Sequence, residues 1–171
     1  MTALSKADIR RLFELLNDEL RQVDTVGEIF LVGGAVMCLT YGARASSRDV
    51  DALCRPPEWV RAAIKAGIDP HWLNDAVKGF MSTQAEFVRY LELDHLHVMT
   101  ARPEYLLAMK CLAMRIGAEF HDEEDVRFLL RALDVRSYEH AMRVITKYYP
   151  LERLPQKTLS ALEDLLAHSS A

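Results

Sequence analysis

The sequence predicts an α/β (α+β) fold, with an α/β half over residues 1–101 and a helical half over residues 102–171. Apolar runs of strand length alternate with helix-period segments only in the first half. Beyond Arg102 every periodic segment carries helical spacing, punctuated by proline and glycine. A double glycine, Gly33-Gly34, separates an apolar strand run from a compact apolar helix.

The elements follow in order. Residues 5–22 form an amphipathic helix capped by Ser5, with Ile9, Leu12, Phe13, Leu15, Leu16 and Leu20 as its apolar stripe. A turn over 24–27 leads into a strand at 28–32. Residues 35–41 make a short helix closed by Gly42. A second strand covers 49–54 and stops at Pro56-Pro57, and a helix runs from Pro57 to about Ala66, ending at Gly67. The segment 69–81 reads as a loop with one or two helical turns, and 87–92 and 96–100 as strands joined by a tight turn at Leu93-Asp94-His95. Helices are predicted over 103–117, 121–133, 138–148 and 156–168, with Pro103 at the first helical position and Pro150 and Pro155 separating the last two.

Half of the 171 residues are hydrophobic and no low-complexity run interrupts them, the profile of a globular chain with a substantial core. No apolar stretch approaches the roughly 20 residues of a membrane span. The N-terminus mixes charges and lacks the apolar region of a signal peptide. Cys38, Cys54 and Cys111, odd in number, read as reduced core thiols of a cytoplasmic protein. A formal charge of −4 argues against a broad nucleic-acid surface, while Arg44, Arg48 and Arg55 crowd one short segment, with Arg61 and Lys65 following. Taken by itself, that cluster reads first as solvated loop charge, with a local basic rim as the alternative. The six histidines form no metal-ligand set, and Trp59 and Trp72 read as packing residues.

The chemistry concentrates between Ile29 and Asp51. Asp49 and Asp51 flank one apolar residue, so an extended strand projects both carboxylates to one face. Adjacent carboxylates repel unless a cation lies between them, and two hard oxygen ligands suit Mg²⁺ bound together with substrate phosphates. Gly33 and Gly34 let the backbone approach a ligand, and the following helix offers its N-terminal amides to phosphate. A solvated edge strand is the competing account of the Asp-x-Asp pair.

Val32-Gly33-Gly34, a helix, Ser46-Ser47 and Asp49-Val50-Asp51 together resemble the fingerprint of the DNA polymerase-beta-like nucleotidyltransferase superfamily. Trp72-Leu-Asn-Asp-Ala-Val-Lys-Gly79-Phe80, Pro103-Glu-Tyr-Leu-Leu-Ala-Met-Lys110-Cys-Leu-Ala-Met-Arg115 and Asp122-Glu-Glu-Asp125 sharpen the likeness. They point towards small nucleotidyltransferase-like proteins related to toxins of abortive-infection and toxin–antitoxin systems. The resemblance implies a small mixed sheet flanked by helices, followed by a C-terminal helical bundle. It implies an enzyme that uses Mg²⁺ to transfer a nucleoside monophosphate from an NTP to a hydroxyl on RNA, protein or a small molecule, and an antitoxin partner. Carried over by residue, it assigns the metal to Asp49 and Asp51, and the nucleotide to Gly33, Gly34, Ser46, Ser47, Arg48, Lys110, Asp122 and Asp125. Lys110 also supports catalysis in this assignment. Glu92, between Leu91 and Leu93, is the first candidate for a third catalytic carboxylate, and Asp94 the second.

Each assignment has a structural competitor. Lys110 sits on a strongly apolar helix, where its charge must reach solvent, a partner or a phosphate. Asp122 and Asp125, one turn apart at a helix start, complement the helix dipole as readily as they serve an active site. Arg115 is placed to pair with one of them. A non-catalytic nucleotide-binding or partner-binding module on the same fold is the alternative to a transferase.

Overall fold

The computed structural model describes residues 3–54, 58–67, 69–117 and 120–168, and the side chains of Cys54 and Trp59 also lie outside the description. It is a mixed α/β structure with a mixed sheet and flanking helices, as the sequence predicts. Two compact units divide it: residues 1–79 with 87–101, and residues 80–86 with 102–171.

In the first unit, β1 (Leu4–Ser5) leads into α1 (Lys6–Gln22). Ser5 caps α1 as predicted: its hydroxyl accepts from the Asp8 N–H at 3.2 Å while its own N–H donates to the Asp8 carboxylate at 2.8 Å. Ile9, Leu12, Phe13, Leu16 and Leu20 are fully buried, whereas Leu15 at the stripe's edge is only partly covered. There follow β2 (Gly27–Leu31), α2 (Gly33–Leu39), β3 (Ser46–Ser47), β4 (Val50–Cys54), α3 (Trp59–Ala66), β5 (Leu73–Asn74), a 3₁₀ turn (Ala76–Phe80), β6 (Phe87–Glu92) and β7 (Leu96–Ala101).

The sheet runs β5-β4-β2-β7-β6. At its centre β2 pairs antiparallel with β4 and parallel with β7; β6 is antiparallel to β7, and β5 parallel to β4. The two-residue strands β1 and β3, which pair antiparallel, and β5 carry too little periodicity to be legible in sequence. What places β5 is Trp72, 1% exposed, whose ring packs 6.2 Å from Phe13 and whose carbonyl accepts from the Val50 N–H at 2.8 Å. Helix α1 makes two further ties, one to the sheet and one to α3. Asn17 accepts from the His95 N–H at 2.8 Å in the β6–β7 turn, and the buried Glu19 pairs with Lys65 and, at 3.4 Å, Arg61 of α3.

The second unit comprises α4 (Pro103–Leu112), α5 (Asp122–Ala132), α6 (Tyr138–Thr146), a 3₁₀ turn (Leu151–Arg153) and α7 (Gln156–Ala167). The strap over 80–86 is hydrogen-bonded into this unit. Ser82 donates through its N–H to Tyr105 Oη at 3.1 Å and through its hydroxyl to the Tyr148 carbonyl at 2.6 Å, and Tyr149 Oη donates to the Phe80 carbonyl at 2.5 Å. Tyr105, Tyr148 and Tyr149 form the buried aromatic centre. Cys38 and Cys111 are buried free thiols, and burial pushes the Cys111 thiol up to about 12, which keeps it protonated and inert. Among the described residues no helix is long and apolar enough to cross a membrane.

Trp72 anchors β5 and with it the edge of the first unit's sheet. Trp72→Ala is expected to lower the unfolding free energy by about 3–5 kcal/mol, measured by urea denaturation with far-ultraviolet circular dichroism.

Candidate functional site

Strand β2 ends at Leu31, and Val32 carries the chain into α2, which begins at Gly33 rather than at Ala35. The Val32 N–H donates to the Asp51 carbonyl at 2.9 Å, continuing the pairing with β4 one residue beyond the end of β2. Gly33 then takes φ +66°, a left-handed conformation that side chains disfavour. A Cβ placed there would lie 2.5 Å from Asp51 Oδ2. The carboxylate of Asp51 thus occupies the space that any side chain at position 33 would need. Gly34 is similarly hemmed: a Cβ would meet Arg44 Nη1 at 3.1 Å and Ser47 Oγ at 3.2 Å.

Ser47, buried in β3, donates from its hydroxyl to the Asp49 carbonyl at 2.8 Å and so fixes the backbone one residue before β4. The strand itself starts at Val50, so of the two aspartates only Asp51 lies within it. Both are partly exposed, between the fully buried Val50 and Ala52 in Asp51's case. Asn74 of β5, in register with Asp51, donates from Nδ2 to Asp51 Oδ1 at 3.0 Å. Gly33, Gly34, Arg44, Ser47, Asp51 and Asn74 therefore meet at one end of the sheet, and Ser47 ties the Asp49 backbone beside them; Asp49 precedes the strand, so the extended pairing expected to carry both carboxylates on one face begins only at Val50. Ser46 neighbours them in β3, opposite Ser5, and Arg48 is exposed in the loop before β4. Arg44 and Asn74 join these residues without having been singled out as site residues: Arg44 belongs to the arginine cluster around the aspartates, Asn74 to the segment 72–80 of the resemblance, and the side-chain contact of Asn74 depends on a two-residue strand.

Glu92 must be corrected as the third carboxylate. In the strand order it is three strands from Asp51, about 14 Å at the usual strand spacing. The registers Glu92↔His97 and Glu28↔His97 place it level with Glu28, at the opposite end of β2 from Val32, beside which Asp51 lies. Glu92 instead pairs with Arg89 at 2.5 Å and lies 3.9 Å from His97 Nε2. Asp94 is farther out still, in the β6–β7 turn, 87% exposed and 3.8 Å from Arg21. Among the described residues no group of three or more His, Cys, Asp or Glu is arranged to hold a metal ion. The carboxylate placed at this end of the sheet is that of Asp51, with Asp49 two residues before it; such hard oxygen ligands would suit a Mg²⁺ completed by phosphate oxygens and water.

In the second unit Lys110, Asp122 and Asp125 do come together. Lys110 Nζ lies 3.1 Å from Asp122 Oδ1 and 2.7 Å from Asp125 Oδ2, with all three side chains nearly buried. Asp122 Oδ2 accepts from the Arg115 backbone N–H at 3.1 Å and from Arg115 Nε at 2.9 Å. The capture of that N–H accompanies the end of α4 at Leu112, short of the predicted 117. Lys110 therefore does not reach to solvent: two carboxylates hold it, and Arg115 pairs as expected. Burial pushes the Asp122 carboxyl up, but the Arg115 hydrogen bonds and the Lys110 charge outweigh it and hold the group below its ordinary value.

A cleft of about 310 Å³ in this unit, bounded in part by Glu86, Arg102, Arg143 and Tyr148, contains none of the residues singled out in sequence. Its charges are partly spent internally, since Glu86 accepts from Lys147 and from Tyr148 Oη, each at 2.8 Å. Burial first and Glu86 second push the Tyr148 phenol well above its usual range.

No known family model, curated protein or solved structure matches this chain.

This geometry makes three predictions. Gly33→Ala forces a Cβ against Asp51 in a left-handed backbone and is expected to cost at least about 1–2 kcal/mol, read by thermal denaturation. Gly34→Ala meets the flexible end of Arg44 and costs less. Lys110→Met strands two buried carboxylates and is expected to cost about 3–5 kcal/mol; a lysine serving substrate alone would leave stability unchanged. The depressed Asp122 pKa adds stability above its ordinary value near 3.8, and that stability is lost as pH falls through the lower folded value. Acid titration of the wild type should therefore show a loss of stability below about pH 4 that Asp122→Asn lacks.

Proposed function

We propose that the first unit binds an NTP with Mg²⁺ at the Gly33-Gly34 turn and the Asp49/Asp51 pair, and that the protein is a nucleotidyltransferase. The observation that carries this reading is the packing of the Asp51 carboxylate over the bare Cα of Gly33. It joins the two halves of the resembled fingerprint, the glycine turn after one strand and the Asp-x-Asp on its neighbour. The sheet's mixed pairing around β2 also agrees with the fold that the resemblance implies.

In this reading Asp49 and Asp51 hold Mg²⁺, which when bound supplies positive charge to the triphosphate and polarises its phosphorus–oxygen bonds. The glycine backbone lets phosphate approach closely, and Ser47 and Arg44 lie beside Gly34 to contact its oxygens. Helix α2 has only seven residues, so close backbone approach matters more here than the helix dipole. The acceptor hydroxyl oxygen bonds to the α-phosphorus and gives up its proton to solvent, the bond from that phosphorus to the bridging oxygen breaks, and pyrophosphate leaves with the electron pair. Catalysis then rests on positioning and charge neutralisation. An acceptor on RNA, protein or a small molecule, a toxin role, an antitoxin partner and a cytoplasmic setting rest on the resemblance and on the sequence composition.

A second reading is binding without transfer. It is favoured by the position of Glu92, which leaves the aspartate pair without a third carboxylate among the described residues of the first unit.

NTP and Mg²⁺ together are expected to raise the melting temperature, and Asp49→Asn with Asp51→Asn to remove the shift. A wild type that binds no nucleotide, with or without metal, overturns the proposal. Incubation with each α-labelled NTP and total RNA or lysate separates the readings: label in an acceptor supports transfer, and binding without label supports the binding module.

A further inference from the structure

We infer that Asn74 is a positioning residue of the metal–nucleotide site: it fixes Asp51 and fills with a neutral amide a place beside it where a further carboxylate would recruit cations without nucleotide. The inference rests on the reading of the Asp49/Asp51 pair as the Mg²⁺–NTP site and extends it to the conditions under which that site fills.

Hydrogen bonding determines the orientation of the amide. Asn74 Oδ1 accepts from the Ala76 N–H at 3.0 Å, a bond that only the oxygen can accept. The NH₂ group is therefore the end that faces Asp51, and it donates to Oδ1 at 3.0 Å. The backbone around Asn74 is fixed as well. Its strand pairs with β4 in the register Asp51↔Asn74, and the buried Trp72 immediately upstream accepts from the Val50 N–H. One oxygen of Asp51 is thus engaged by a fixed donor, while the other lies over Gly33.

Two consequences follow for ligand binding. First, the Asp51 side chain is orientationally preset, so its ordering cost is met on folding rather than on binding. Second, an amide beside the aspartate donates a hydrogen bond where an acid would add negative charge. A carboxylate already held by a hydrogen-bond donor makes a weak site for a bare divalent cation, because Mg²⁺ dehydrates reluctantly and favours sites that include substrate phosphates. The cation is therefore taken up as the metal–nucleotide complex, and the unliganded site carries less repulsion than three acids would impose.

The test compares wild type, Asn74→Ala and Asn74→Asp in the full chain, titrated with Mn²⁺ alone and with Mg²⁺ and a non-hydrolysable NTP analogue, by calorimetry and thermal shift. Wild type is expected to bind the metal–nucleotide complex but Mn²⁺ alone only weakly. Asn74→Ala should weaken binding of the complex by about tenfold, the scale seen when a partner that orients a metal ligand is removed. Asn74→Asp keeps an acceptor for the Ala76 N–H but turns the donor facing Asp51 into a second carboxylate. That variant should melt lower than wild type without divalent cations, bind Mn²⁺ alone, and regain its melting temperature on Mn²⁺ addition. Wild-type affinity in Asn74→Ala, or no cation-dependent gain in Asn74→Asp, overturns the role of Asn74 while leaving the nucleotide site standing. Absence of nucleotide binding in the wild type overturns both.

Discussion

The first unit depends on one steric exchange: Gly33 has no side chain, and the Asp51 carboxylate takes the vacated space. The exchange works because β2 and β4 run antiparallel, which brings the end of one strand beside the start of the other. The Val32 N–H bond to the Asp51 carbonyl extends that pairing to the point where the chain turns into α2. Any larger residue at 33 would meet both a left-handed backbone and an occupied volume, two independent penalties at one position. Close backbone approach of a phosphate demands the same feature, a bare Cα at the end of a strand.

Elements with a long period were legible in sequence, and those set by a single contact were not. Helix α1 announced itself through a four-turn stripe and a serine cap, and both are present. Strands β2, β6 and β7 were placed within a residue or two. The two-residue strand β5 has no pattern of its own, because its position follows from burying Trp72 against Phe13. The same distinction runs through the candidate site. Gly33, Gly34, Asp49 and Asp51 share a short stretch of chain, so spacing alone grouped them. Asn74 is 23 residues from Asp51 and joins through strand register. Glu92 failed for the converse reason: an acid between apolar neighbours says that a strand is present, but not which edge or end of the sheet it reaches.

The second unit solves a different problem. A lysine on an apolar helix is costly to bury, and here two buried aspartates meet it, one of them also tied to the backbone and guanidinium of Arg115. Such a cluster contributes little net stability relative to a well-packed apolar core, yet losing one member leaves its partners charged and dry. It links Lys110 near the end of α4 and Arg115 just beyond it to the first turn of α5. Asp122 and Asp125 additionally sit in the first turn of α5, where the helix dipole favours negative charge. The motif that sequence resemblance assigned to the nucleotide is thus, within this unit, a closed structural cluster.

That closure bears on where transfer chemistry can come from. Phosphoryl transfer needs charge neutralisation at the triphosphate and a means to orient the acceptor hydroxyl. In the proposed reading the aspartate pair with Mg²⁺ would meet the first requirement, with Arg44 beside Gly34. The second calls for a base or an orienting acceptor, and the described residues of β6 and β7 do not bring one to the Asp51 end of the sheet: Glu92 lies at the other end, and Thr100 is the polar side chain of β7 closest in register to the site. Binding and transfer therefore have separate structural requirements. In the proposed reading Gly33, Gly34, Asp49 and Asp51 would serve the first. A hydroxyl-orienting group is the further requirement that would make the second efficient.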